Sequence, residues 1–216
     1  MKPKKIMDKR HLICQSFVGV LKQQLMVIQS MDNKFCRDLF GQPYDTYNGT
    51  TPDGYVIAIN NKPFPMVVIS PNKIIVKARN KETLIKYVCA LKEELSKMHV
   101  PISFSAFGIN SEYQWTGLDS NVESWLWNHY INKSIDSRKE IQLCTQLNFR
   151  IGLNDNQFVN VELAPRMGIR NGLYANINHH HNMVLEDIPD SAKLAEYIDK
   201  SDEIIISDVI ANIIEN

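Results

Sequence analysis

The sequence predicts an α+β domain: a single twisted, mainly antiparallel sheet of six to eight strands, helices packed on one face, and a C-terminal helical tail. Three observations carry this. Period-two alternation of apolar and polar residues dominates 141–181, an amphipathic helical stripe interrupts the strands at 81–98, and most β-rich runs are joined by short turns. The expected division is an α+β domain over 1–189 and an acidic, apolar tail over 190–216, which can pack on the same domain.

At the N-terminus, Ile13, Phe17, Val20, Leu21, Leu25 and Ile28 recur at three- and four-residue spacing, which predicts a helix over 13–28, although Val18, Gly19 and Val20 also suit a strand. Residues 32–54 are dense in turn formers but carry Phe35, Phe40, Tyr44 and Tyr47, which reads as a long loop packed down by its aromatics. Runs at 55–60 and 65–70 read as strands, and "SPNK" turns the second into "KIIVKAR" as a hairpin. Asn80 caps a helix whose stripe is Leu84, Val88, Leu91, Leu95 and Met98. Pro101 ends that helix. Residues 102–115 then form a long strand with a bend or bulge expected at Gly108. Ser120 and Glu123 form a capping box for a further helix.

The clearest pattern is the last meander. Large apolar residues occupy the odd positions Ile141, Leu143, Leu147, Phe149, Ile151 and Leu153, and Val159, Val161 and Leu163 continue that face after a turn at 154–156. A turn near Ile169 returns the chain as "GLYANINHHH", with Val161 opposite Ile177 and Val159 opposite His179. The tail reads as two helical segments divided near Lys200. No internal repeat stands out.

Composition excludes several classes. With 44% hydrophobic and 22% charged residues the chain is neither disordered nor fibrous, and its formal net charge of zero argues against wholesale polyanion binding. The charge is unevenly placed, since nine acids stand against two lysines from Glu186 onward. Four widely spaced cysteines without a C-x-x-C pattern suit a reducing, cytoplasmic setting. No apolar run approaches the ~18 residues of a membrane helix. The basic start is not read as a signal peptide, because Gln15 and Ser16 interrupt the apolar run behind it.

Chemistry is sparse. No phosphate-cradling, dinucleotide-binding or nucleophile-elbow motif is present. Strand alternation points His179 and His181 into the core and His180 outward. A pair of imidazoles on one strand face can supply two ligands to a divalent transition metal, with a third ligand unidentified. No cofactor is otherwise expected, and strand-end histidines held by hydrogen bonds are the alternative. Glu112 and Arg166 stand near strand ends, where each can line a pocket or form an ion pair.

The function expected from this pattern is that of a non-enzymatic cytoplasmic protein acting through protein–protein contact. Ile205, Val209, Ile213 and Ile214 give the tail more apolar surface than a lone terminal helix buries, which points to self-association as a homo-oligomer through that helix. One alternative is a His-dependent hydrolase using His179 and His181. Another is a nucleic-acid-binding module with a basic N-terminal arm (Lys2, Lys4, Lys5, Lys9, Arg10) and a hairpin face carrying Lys73, Lys77 and Arg79.

Overall fold

The structure, a computed structural model, describes residues 10–25, 33–40, 46–51, 54–59, 62–118, 121–131, 144–169 and 171–215. The chain begins in the middle of the sheet. Strand β1, Arg10–Leu21, pairs antiparallel with two strands distant in sequence. The helix expected over 13–28 is therefore corrected to a strand as far as Leu21. A strand flanked on both sides loses the period-two signature where side chains of both faces are buried, as Cys14, Gln15, Ser16 and Phe17 all are. Gly19 belongs to the same arrangement, because a Cβ there would overlap the Phe104 ring that lies against it.

The expected loop at 32–54 contains α1, Asn33–Phe40, and the short strand β2, Thr46–Thr51. Phe35 and Leu39, one helical turn apart, are both buried. Strands β3 (Gly54–Ile59), β4 (Met66–Ile69) and β5 (Lys73–Ala78) follow as a meander, its last turn closed by a 2.9 Å bond from Ser70 N to the Lys73 carbonyl. Asn80 caps α2, Lys81–Lys97, by accepting a 2.9 Å bond from Thr83 N.

Strand β6, Phe104–Trp115, pairs without a bulge at Gly108; the register shifts lie at Leu12/Cys14 and Val20/Leu21 instead. Helix α3, Val122–Leu126, widens into a π-helical turn, Trp127–Ile131, and Asn121 is its N-cap. Ser120, expected to cap it, lies outside the described residues, as do 1–9 of the basic arm and 132–143. The meander β7 (Leu147–Asn154), β8 (Gln157–Pro165) and β9 (Leu173–His181) has the expected register, with Val161 opposite Ile177 and Val159 opposite His179. Helix α4, Ser191–Ile204, runs directly into a π-helical stretch, Ile205–Ile214, so the tail changes character at Ile204 rather than near Lys200.

All strands are antiparallel in one nine-stranded sheet of order β2-β3-β4-β5-β1-β6-β9-β8-β7. The count is one above the expected upper limit because β1, read as a helix, and β2, read as loop, are both strands. Read outward from the β1–β6 seam, each half has its first strand at the centre, its last strand next to it, and the others in descending order. Each half also has a helix after its first strand and closes with a longer one. Although no repeat stands out in the sequence, the closing helices agree position by position. Asn80 and Asp190 cap them, and Leu84, Tyr87 and Val88 of α2 answer to Leu194, Tyr197 and Ile198 of α4, all six buried.

The described helices cover one face only. One core gathers Phe17, Val76, Phe107 and Ile109 beneath α2 and the start of α4. The other gathers Trp115, Val161, Leu163 and Ile177 beneath α3 and the π-helical stretch. This overturns the reason for expecting an interface in the tail. Ile205, Val209 and Ile214 are fully buried against the chain's own sheet, Ile213 is half-buried, and Glu215 accepts a 3.0 Å bond from Trp115 Nε1. Residues 190–215 are part of the domain. Among the described residues no helix is long and apolar enough to cross a membrane.

Candidate functional site

His179 and His181 face the helices, and His180 faces away, as alternation requires. His179 is buried beneath α4, with Nδ1 2.9 Å from Ser201 Oγ. His181 is stacked on Phe107, ring centroids 4.4 Å apart and planes within 3°. Gln157 Nε2 donates to His181 Nδ1 at 3.2 Å, which leaves the ring proton on Nε2. Burial holds the His179 pKa below its usual value and, with its neighbouring histidines, pushes that of His181 down to about 4. Both rings are thus held neutral, as a metal ligand must be. Yet among the described residues no group of three His, Cys, Asp or Glu side chains converges in a way that could hold a metal ion. The pair's hydrogen bonds go to Ser201 and Gln157 side chains rather than to loop carbonyls.

The opposite sheet face, on which no described helix packs, carries the more unusual chemistry. Register aligns side chains from separate strands into rows. Ser16, Asn110, Asn178, Asn160 and Arg150 form one row across β1, β6, β9, β8 and β7. Cys14, Glu112, Asn176, Glu162 and Asn148 form the next. Their second-half members apart from Glu112 line a groove of about 510 Å³. Arg150 Nε donates to Asn160 Oδ1 at 2.9 Å, and Gln146 Nε2 donates to Glu162 Oε1 at 3.1 Å. On the groove floor, however, the amide oxygens of Asn110, Asn176 and Asn178 are buried and have no hydrogen-bond partner among the described residues. Gly108 makes room for one of them, since a Cβ there would overlap Asn178 Oδ1.

One end of the groove is aromatic. The rings of Phe158 and His180 stack at 4.5 Å, and the Arg150 guanidinium lies 4.0 Å above Phe158. Beside the groove, on the β1–β6 seam, Lys77 Nζ approaches Glu112 Oε1 at 2.6 Å. Burial would raise the Glu112 carboxyl, but the hydrogen bond and charge of Lys77, with hydrogen bonds from Tyr174 and Cys14, hold it below its usual range. Burial and the Glu112 charge in turn push the Cys14 thiol up to about 12, so it is no nucleophile at neutral pH.

Of the residues expected to bind nucleic acid, Lys73, Lys77 and Arg79 do share the open face, but Lys77 is committed to Glu112. On the equivalent face of the first half these cations stand beside apolar side chains, with Val18, Met66, Val68 and Ile75 where the second half has amides. The amide rows were missed from sequence because asparagine in a strand reads as an ordinary wet position. The signal was present: the register that sets Val161 opposite Ile177 also sets Asn160 opposite Asn178. No protein family matches this chain, and no curated protein resembles it significantly.

Proposed function

We propose that the protein is a non-enzymatic binding module that acts through contact with a partner laid against the open face of its sheet. The supporting observation is the trio of buried, unpartnered amide oxygens of Asn110, Asn176 and Asn178 on a groove floor. Each such atom costs about 1–3 kcal/mol of folding free energy, and a partner that donates to it recovers that cost. The face takes over the contact role expected of the tail, whose Ile205, Ile210 and Ile214 are occupied within the chain. Free thiols at Cys14, Cys89 and Cys144 favour a reducing compartment such as the cytoplasm.

Thermal unfolding of Asn178→Leu tests this without any ligand. If the amides serve binding, the apolar isostere leaves Tm unchanged or raises it by a few degrees, since ~1 kcal/mol moves Tm by about 2–4 °C in a chain of this size. A fall of more than about 5 °C would make the amides part of what holds the sheet together, and the reading would be wrong.

A further inference from the structure

We infer that the occupant of the groove is an extended, uncharged polypeptide segment, read through its backbone. This rests on the open face being a binding surface and names what it binds. The first ground is spacing. Asn176 and Asn178 stand two residues apart on β9, so their amides repeat every ~6.7 Å. That is the two-residue repeat of an extended peptide lying along the strand. The flanking amides Asn110 and Asn160 sit level with Asn178 on the neighbouring strands, so they widen the array at that row, while Asn176 and Asn178 give it its direction along the strand.

The second ground is hydrogen-bond polarity. The unpartnered atoms are acceptors, so the occupant must donate. A phosphate backbone offers only acceptors and does not answer this floor. A peptide backbone offers an N–H beside a C=O, and a side-chain amide offers the complementary pair, so each asparagine can hold one residue with two bonds. The third ground is charge. Lys77 is paired with Glu112, and Arg150 and Glu162, each hydrogen-bonded to a neutral amide, are opposite in sign, so the charges at these positions balance and favour neither a cationic nor an anionic occupant. Beyond Asn178, the stacked Phe158 and His180 rings form a shelf for one apolar side chain. From Tyr174 to His180 the track is ~20 Å long, room for about six peptide residues.

The test uses the full chain with 15N-labelled asparagine side chains and an acetylated, amidated octapeptide of alternating Thr, Val and Ser. The side-chain amide resonances of Asn110, Asn176 and Asn178 should shift saturably. The same octapeptide N-methylated at alternate amides should bind about tenfold more weakly, because it has lost donors. Gly108→Ala, which displaces the Asn178 amide, should weaken binding of the unmodified peptide while the far-ultraviolet circular dichroism stays unchanged. No shift, or equal binding of the methylated peptide, overturns the proposal. Shifts with maltohexaose or oligothymidylate but not with the peptide also overturn it, while leaving the open face standing as a binding surface. A collapse of Asn178→Leu stability, by contrast, removes the surface itself.

Discussion

His179 and His181 project from one face of β9 with their ring centroids 4.1 Å apart, both shut beneath α4. Two imidazoles so placed cannot both charge without repelling each other in a desolvated site. The His181 pKa stands at about 4 in the folded chain against 6.5 when unfolded. The unfolded state therefore binds this proton first as pH falls. The contribution to stability is fully present above pH ~6.5, fades between there and ~4, and amounts to about 3 kcal/mol. His179 shifts in the same direction and adds to the loss. Urea unfolding at pH 7 and pH 4.5 should show this, and His181→Phe, which keeps the stack on Phe107, should show a shallower loss. An identical pH dependence in both proteins would contradict the assignment.

Lys77 and Glu112 are both largely shielded, with side-chain exposures of 28% and 16%. Replacing Lys77 by Met leaves a carboxylate among Cys14, Tyr174 and the sheet without its cation. Stability should fall by about 1–3 kcal/mol, and the Glu112 carboxyl should titrate higher than in the wild type, burial being then opposed only by the hydrogen bonds from Tyr174 and Cys14. In the wild type the depressed carboxyl stabilises the fold above its unfolded pKa, and that contribution is lost as pH falls through the folded value. Carbon-13 detection of the Glu112 carboxyl reads the shift directly. The double variant Lys77→Met/Glu112→Gln should regain most of the lost stability.

The π-helical stretch offers an internal comparison. Ile210 is fully buried and Ile206 is 41% exposed. Ile210→Ala should cost about 2–5 kcal/mol, whereas Ile206→Ala should cost under about 1 kcal/mol. Native mass should be the same for both variants and for the wild type. Dissociation caused by Ile210→Ala, with the fold retained, would restore the interface expected from composition.

These residues also explain how far the sequence could be read. The β7–β8–β9 meander was legible because one face is wet and the other dry, and α2 because Asn80 and its stripe obey local rules. Strand β1 was not, because burial on both faces erased its period and left apolar spacing that a helix could equally satisfy. Strand β2, "TYNGTT", has turn chemistry and only one sheet neighbour. For the histidines, alternation placed all three correctly, but their partners came from Gln157 and Ser201, which no local rule connects to them. The amide track lay one inference away from the predicted register. Counting the isoleucines of the tail could not reveal that they, together with α3, cover the second half of the sheet.

The seam between β1 and β6 bears on how the chain is threaded. Arg10 Nη1 lies 3.6 Å from Glu215 Oε1, so the two ends of the described fold meet. The two halves are linked at only one covalent point, the turn from His99 to Pro101 between α2 and β6. Joining Glu215 to Arg10 through a short glycine linker and opening the chain after Val100 would exchange which half is synthesised first. Every strand would keep its neighbours. Such a circular permutant should fold with its spectroscopic signature intact, because spatial order here does not depend on reading order. What it would alter is which half emerges first with its core still uncovered, and hence the route by which the sheet assembles.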